Sequence, residues 1–240
     1  MYIALVATSG SGKTTLAQKT ARVLNYEYEM KSASTAPFFH PKCSFWYRIG
    51  WLLYGWMYFD RDIVRMYMRF TGVRDWYRQR GIQDKVWRLY IPLLSGYYLR
   101  RKELGELDVV VDDASALCRY NEKDTKKKEL SESFVKTFKE RIIGTYGHVL
   151  VVEIDTPPKV AARRRVERDK LSIANWDDYV AKKDQAHKQH KALVEKIGAS
   201  FSDETVSVMT VDGTKAPEVL AKEVAEKVME IGEFGGRGEG

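Results

Sequence analysis

Cysteine and histidine are scarce in this chain of 240 residues, which has two cysteines and four histidines. Cys43 and Cys118 match neither a disulfide framework nor the spacing of a cysteine metal site. His187 and His190 lie three residues apart in a lysine-rich segment without acids at matching positions, which is typical of a solvated helix. The shortage of cysteine excludes a disulfide-stapled fold and suits a reducing compartment, so we expect a cytoplasmic location.

Long apolar runs are also missing. The aromatic stretch at 43–59 is shorter than the roughly 20 residues that a spanning helix needs, and Arg48 interrupts it. The chain begins directly with a candidate strand, so we expect no signal peptide. It shows neither internal repeats nor an interdomain linker, and it predicts one domain over 1–233 followed by a disordered tail at 234–240.

Acidic residues are outnumbered by basic ones, and the net charge is +7. This excess favours anionic ligands, but it does not choose among nucleotides, nucleic acids and membrane surfaces. Part of the excess lies in the run of lysines at 126–128, which is typical of a solvated loop or helix start, and part in the arginines at 163–168. Only the arginine segment is a candidate for a specific site.

The most informative sequence that is present follows the apolar run at 2–6. Residues 7–14 read Ala-Thr-Ser-Gly-Ser-Gly-Lys-Thr, the pattern of a phosphate-binding loop between a buried strand and a helix. Such a loop surrounds phosphate oxygens with backbone N–H groups and with the positive end of the helix. Ala7 replaces the first glycine of the pattern, which affects how tightly the loop would bind phosphate and not whether it is a phosphate-binding loop. We expect nucleotide phosphates to contact Ser9, Gly10, Ser11, Gly12, Lys13, Thr14 and Thr15.

Strands and helices alternate along the rest of the chain. Short β-branched segments predict strands at 107–111, 148–154 and 206–211, and 26–30 is a candidate edge strand. Helical spacing predicts helices at 14–24, 130–143, 157–168, 176–197 and 217–231, with Thr156 and Asn175 as caps and glycines at several ends. The alternation predicts a three-layer α/β fold with a mainly parallel five-stranded sheet covered by helices on both faces.

Two acids, Asp112 and Asp113, directly follow the valines at 109–111. Ligands of open parallel sheets bind beyond the carboxyl ends of the strands, so we expect both acids near the phosphate-binding loop. One is a candidate Mg²⁺ ligand and the other a candidate to accept the proton of an acceptor hydroxyl. The sequence leaves the division of roles open; we place the metal at Thr14 and Asp112. A solvated strand end is the structural alternative.

Arg164 and Arg168 are four residues apart and share one face of the helix predicted at 157–168. Arginine side chains suit phosphate oxygens and the charge that develops on a transferring phosphoryl group. The alternative is a solvent-exposed helix with internal pairs such as Arg163 with Glu167.

Together these motifs resemble the thymidylate kinase group of nucleoside and nucleotide kinases. The resemblance rests on Gly-Ser-Gly-Lys-Thr-Thr after the first strand, an acid after a valine-rich strand, and a strand followed by Pro-x-Val-Ala and an arginine helix. It covers 2–25, 107–113 and 149–231. It implies that 157–175 form a lid whose Arg164 and Arg168 close over the transferred phosphate. It also implies that the adenine base lies near 211–219.

The chain departs from this group on the acceptor side. Residues 34–37 read Ser-Thr-Ala-Pro in place of Arg-Glu-Pro-Gly, and no arginine follows Asp112 and Asp113. A thymidylate acceptor is therefore not supported. No glutamate follows the two aspartates either, which favours transfer to a bound acceptor over hydrolysis.

Residues 38–100 are rich in aromatic side chains interleaved with arginines. Three functional interpretations stay open: an acceptor pocket, a surface for single-stranded nucleic acid, and an interfacial membrane segment. The structural alternative is a core or homodimer contact of large side chains. We favour helices that form an acceptor pocket.

The sequence predicts an ATP-dependent phosphotransferase that moves the γ-phosphate of Mg-ATP to a hydroxyl or phosphate of a small molecule, with a nucleoside or nucleoside monophosphate favoured. ATP and Mg²⁺ are the predicted cofactors. The alternatives are a kinase or ATPase acting on nucleic acid and a nucleotide-binding regulatory protein. The residues predicted to carry the reaction are Lys13, Asp112, Asp113, Arg164 and Arg168.

Overall fold

The computed structural model describes residues 1–35, 60–64, 82–113, 132–201 and 205–235. Five strands of this part of the chain form one sheet in the order β2-β3-β1-β4-β5, and every neighbouring pair is parallel. The strands are β1 (Tyr2–Val6), β2 (Ser32–Ser34), β3 (Val109–Asp112), β4 (Val149–Asp155) and β5 (Val206–Asp212). The N-terminal strand therefore lies at the centre of the sheet, between β3 and β4.

Helices connect these strands. In chain order they are α1 (Lys13–Glu27), α2 (Ile82–Glu103), α3 (Glu132–Phe138), α4 (Pro158–Asp169), α5 (Trp176–Ser200) and α6 (Pro217–Gly235). Helix α3 continues through a π-helical turn, Lys139–Ile143, and a short helical turn, Gly144–Tyr146. Within the described residues, no helix is both long and apolar enough to cross a membrane.

Alternate residues of the central strand face two separate cores. Ile3 and Leu5 pack with apolar residues of α1 and α6, whereas Ala4 and Val6 pack on the opposite face with α2, α3 and α5. All five residues of β1 are buried, as expected for a strand covered on both faces. The predicted three-layer α/β fold with a parallel five-stranded sheet is confirmed.

The prediction of an edge strand at 26–30 is wrong. Helix α1 continues through Glu27, and the second strand is the three-residue segment Ser32–Ser34. Asn25, the expected end of the helix, exchanges two hydrogen bonds with the backbone of Ser32, at 2.9 and 3.0 Å. The Asn25 side chain fixes β2 against α1 and does not end the helix. A strand of three residues is too short to show the alternation of apolar and polar residues that identifies strands in a sequence.

The predicted helix ends also need correction. Gly144, Gly198 and Gly232 lie within helical segments, because none of them adopts the positive φ that a glycine helix end requires. Asn175 is confirmed as the cap of α5, since its Oδ1 accepts a hydrogen bond from the Asp178 N–H at 3.2 Å. The Thr156 cap is wrong: Pro157 occupies that position, and no side chain caps α4.

Two predicted segments fall largely outside the described residues. Of the aromatic segment at 38–100, only 60–64 and the residues of α2 are described, so its function stays a prediction. Helix α6 extends to Gly235, and residues 236–240 of the predicted tail are not described.

Candidate functional site

The loop between β1 and α1 has the backbone that its glycines allow. Gly10 and Gly12 both adopt φ 98°, a left-handed conformation that other residues rarely reach. The Ser11 N–H donates to the Thr8 carbonyl at 3.3 Å, and the first helical bond runs from Leu16 to Gly12 at 2.9 Å. The sequence therefore folds here as a tight turn that opens directly onto a helix N-terminus, which is the geometry that binds phosphate.

Lys13, the first residue of α1, folds back over this loop. Its Nζ donates to the carbonyl of Ala7 and lies 3.5 Å from that of Thr8. Backbone carbonyls are neutral partners, so a phosphate group would be a stronger one for this ammonium. The role of Lys13 at the β- and γ-phosphates stays a prediction.

A carboxylate meets the loop at the next residue of the helix. The Thr14 hydroxyl donates to Asp113 Oδ2 at 2.9 Å, and Asp113 directly follows β3. Asp113 and Asp112 are both buried, with 7% and 2% of their surfaces exposed. The solvated strand end considered from the sequence is therefore not what these two acids form.

The neighbouring acid is turned away from Thr14. Asp112 Oδ2 accepts a hydrogen bond from the Tyr2 hydroxyl, and its Oδ1 lies 2.9 Å from Thr35 Oγ1. Thr35 also bridges to Asp113, with 3.1 Å between its hydroxyl and Asp113 Oδ1 and 3.1 Å to the Asp113 N–H. The structure thus brings Asp113 to the phosphate-binding loop and holds Asp112 behind it.

These surroundings change the protonation of Asp113. Burial and the adjacent Asp112 raise the pKa of Asp113 to about 6, although hydrogen bonds from Thr14 and Thr35 and the charge of Lys13 act in the opposite direction. A carboxyl group with a raised pKa gains from a nearby cation, so this position favours binding of positive charge.

The arginines of α4 divide among three partners. Arg165 donates to Ser9 Oγ at 2.7 Å, whereas Arg164 donates to the carbonyl of Gly213 at 2.8 Å. Arg168 forms an ion pair with Asp169 at 2.7 Å, and Arg165 shares that carboxylate at 2.5 Å. Arg165 reaches the loop, and the sequence argument, which singled out Arg164 and Arg168, missed it. Residues four apart share one face of a helix, but the sequence does not show which face of α4 lies against the loop.

A second cation reaches the same loop from α5. Lys183 Nζ donates to the carbonyl of Ser9 at 2.9 Å and lies 5.4 Å from the centre of the Tyr179 ring. Nothing in the local sequence singles out Lys183 among the lysines of this helix, because its approach to the loop depends on how α5 crosses the sheet.

A cavity of about 260 Å³ opens beside the loop. It lies between the start of α1, the end of β4 and the turn after β5. The charged side chains among its lining residues are Arg164 and Lys215. The complete lining is Ser11, Gly12, Thr15, Leu16, Ile154, Arg164, Gly213, Lys215, Pro217 and Leu220.

Helix α4 packs so closely on the loop that residue 10 has no room for a side chain. A Cβ at Gly10 would lie 2.1 Å from the Ala161 carbonyl oxygen. We expect Gly10→Ala to lower the free energy of unfolding by about 2 kcal/mol, because it adds a positive-φ penalty to this clash. Chemical denaturation measures the change.

Gly198→Ala provides the matched control for this substitution. Gly198 lies in α5, and a Cβ added there would have no atom within 4 Å, so alanine should raise the stability by about 0.5–1 kcal/mol. Equal effects of the two substitutions would contradict the close contact between α4 and the loop.

Comparisons with known proteins give similarity in three dimensions alone. No family model matches the chain, and no curated protein sequence matches it. Deoxyadenosine kinase from M. mycoides with bound dATP is 13% identical, with a TM-score of 0.42, covering 95% of this chain and 99% of its own. The same kinase with bound dCTP is 13% identical, with a TM-score of 0.43, and the match covers 96% of this chain and 100% of the kinase chain. A GTPase from Pyrococcus abyssi in its apo form is 18% identical, with a TM-score of 0.34, and the match covers 95% of this chain and 96% of the GTPase chain.

Structural similarity with TM-scores below 0.5 does not indicate a shared function. The sheet order and the loop described above establish the fold by themselves. The chain therefore has an α/β fold of the P-loop NTPase type, with Lys13, Thr14 and Asp113 at the carboxyl edge of its sheet.

Proposed function

We propose that this chain is an ATP-dependent phosphotransferase that moves the γ-phosphate of Mg-ATP to a small-molecule acceptor. The observation that carries the proposal is the hydrogen bond from Thr14 to the buried carboxylate of Asp113, directly beside Lys13. A loop that only bound an anion would gain nothing from a buried carboxylate at its mouth. A site for a phosphate together with a cation needs both.

The same pair of oxygens fits Mg²⁺. This cation prefers oxygen ligands and commonly takes one or two carboxylates together with substrate phosphates. Within the described residues no group of three or more His, Cys, Asp or Glu side chains could hold a metal alone, which agrees with a site completed by the nucleotide. We propose Thr14 and Asp113 as the protein ligands, with Asp113 in place of Asp112. When bound, Mg²⁺ neutralises charge on the transferring phosphate.

Asp112 then acts through its neighbour. Its contacts with Tyr2 and Thr35 fix the strand end, and Thr35 also binds Asp113. We assign Asp112 the role of a positioning residue that raises the pKa of Asp113 and strengthens its attraction for a cation.

The cavity beside the loop is the proposed site for the donor base. It combines apolar side chains, Leu16, Ile154 and Leu220, with the guanidinium of Arg164, which suits a flat aromatic base. The sequence resemblance implies an adenine base near 211–219, and Gly213, Lys215 and Pro217 of that segment line the cavity, so ATP is the proposed donor.

The acceptor is proposed to be a small molecule, with a nucleoside or nucleoside monophosphate favoured by the sequence resemblance. We propose that the acceptor binds beyond the carboxyl end of β2, where the Tyr98 hydroxyl donates to the Ser34 carbonyl at 3.2 Å. At this strand end the Ser34 carbonyl accepts from Tyr98, and the Thr35 hydroxyl bonds with Asp112 and Asp113.

A transfer screen tests this function. Wild-type protein is incubated with Mg²⁺ and ATP labelled at the γ-phosphate, and with nucleosides, nucleoside monophosphates, sugars or oligonucleotides in separate reactions. We expect label in a nucleoside or nucleotide product. Label on oligonucleotides alone, with binding that weakens steeply as salt rises, would instead favour the nucleic-acid alternative. Tight nucleotide binding without any turnover would favour a regulatory protein.

Arg165 is the lid arginine that we propose to act on the transferred phosphate, because it already reaches Ser9. We expect Arg165→Met to lower kcat about 10²-fold, as for loss of one preorganised donor to a developing charge. Arg163→Met is the matched control, since Arg163 lies exposed on the same helix, and it should leave kcat within about twofold. Steady-state assays of both variants measure the difference, and equal rates would contradict this role.

A further inference from the structure

Lys183 differs from other lysines of α5 in its partners. Lys188 pairs with Asp184 at 2.6 Å and Lys191 with Asp155 at 2.9 Å. Within the described residues, no carboxylate lies within 4.0 Å of Lys183 Nζ, and its contacts are the Ser9 carbonyl and the Tyr179 ring. A half-buried ammonium without an anionic partner is an incomplete site for an anion.

The charges around Lys183 point in the same direction. Its pKa is lowered by burial first and then by three cations, Arg165, Lys13 and Arg168, and only Asp169 opposes them. That carboxylate is already bound by both arginines. Lys183 therefore lies near three other cations and one carboxylate that is already engaged, and an anion bound beside it would relieve the repulsion among these cations.

The position of the contact indicates which part of a nucleotide Lys183 would meet. Ser11, Gly12 and Thr15 line the cavity proposed for the base, whereas Ser9 of the same loop is not among its lining residues. Arg165 binds the Ser9 hydroxyl and Lys183 binds its carbonyl, so both cations converge on this one residue. A triphosphate that extends from the cavity along the loop would end near them.

We propose that Lys183 is a further phosphate-binding residue, which exchanges its hydrogen bond to the Ser9 carbonyl for one to the γ-phosphate of the bound nucleotide. This assignment rests on the proposed function. Because α5 follows the segment 170–175 that leaves α4, the contact ties both ends of the lid-like segment to the terminal phosphate. The site thereby distinguishes a triphosphate from a diphosphate.

Calorimetric titration of ATP and ADP into Lys183→Met tests the proposal. Methionine retains much of the side-chain volume and removes the charge. We expect ATP to bind about tenfold more weakly and ADP within about twofold of wild type, since one charge-assisted hydrogen bond to the γ-phosphate is lost. Lys183→Arg should restore ATP affinity to within about threefold of wild type. Lys182→Met, an exposed neighbour on α5, should leave both affinities unchanged.

Equal weakening of ATP and ADP, or no weakening of either, would overturn the role of Lys183. Thermal unfolding of each variant establishes that the fold is intact, and Lys183→Gln replaces the methionine variant with the same criteria if that variant does not fold. Wild-type protein that binds neither nucleotide would overturn the proposed function as well. Wild-type binding of ATP that depends on Lys13 but not on Lys183 would contradict this inference alone.

Discussion

Lys13→Ala is expected to reduce phosphoryl transfer by about 10³-fold or more while the protein stays folded. The lysine lies over the phosphate-binding loop and contacts the carbonyls of Ala7 and Thr8, where the β- and γ-phosphates of a donor would replace them. Phosphoryl transfer depends mainly on positioning and electrostatic stabilisation, so loss of this cation should reduce kcat and not only affinity. Single-turnover transfer at saturating ATP measures the effect.

Lys19→Ala is the matched control for this substitution. Lys19 belongs to the same helix and carries the same charge, but it pairs with Glu218 at the surface at 2.6 Å. Exposed pairs contribute little, so we expect transfer within about twofold of wild type. Retained transfer in Lys13→Ala, or an equal loss in both variants, would show that the loop is not the donor site.

Asp113→Asn is expected to have opposite effects on activity and on stability. Transfer should fall about 10²-fold or more, because the amide removes the charge that holds the metal beside Thr14. The folded protein without metal should become more stable at neutral pH, because burial next to Asp112 disfavours the charged carboxylate. A residue retained for chemistry at a cost in stability shows this combination.

The gain in stability should depend on pH in a defined direction. The pKa of Asp113 rises from 3.8 to about 6 on folding, so its ionisation costs nothing below about pH 3.8 and the full amount above about pH 6. Two units of pKa correspond to about 3 kcal/mol as an upper limit. We expect Asp113→Asn to raise the free energy of unfolding by about 1–2 kcal/mol at pH 8 in a chelator, and by nothing measurable near pH 4.

Denaturant unfolding of wild type and variant at several pH values checks this prediction. Ser34→Ala at the end of β2 controls for a general effect of substitution near the strand ends, because it introduces no change of charge. A variant that is less stable than wild type at pH 8, or equally stabilised at pH 4, would contradict the account of Asp113.

The loop and the central sheet could be predicted because their signals are local. The order of glycines, lysine and threonine at 10–15 specifies the turn, and valine-rich segments such as 109–111 favour buried strands. The strand Ser32–Ser34 is too short to show alternation of apolar and polar residues, and its structure depends on hydrogen bonds with Asn25 and on pairing with β3.

The roles of individual side chains depended on packing that no local pattern records. Asp112 and Asp113 are equivalent in sequence, but successive residues at a strand end point to opposite sides, and only Asp113 contacts Thr14. Arg165 was missed because the choice of face on α4 is set by its close approach to Gly10. Lys183 reaches Ser9 from a helix 174 residues further along the chain.

The most direct test of the central claim is the fate of the labelled γ-phosphate of ATP, measured in wild type and in Lys13→Ala with and without an acceptor. A phosphotransferase predicts that label appears in the acceptor, that one ADP forms for each labelled product, and that both need Mg²⁺ and Lys13. ADP and free phosphate formed at the same rate with or without every acceptor, or transfer that persists without Lys13, would contradict it.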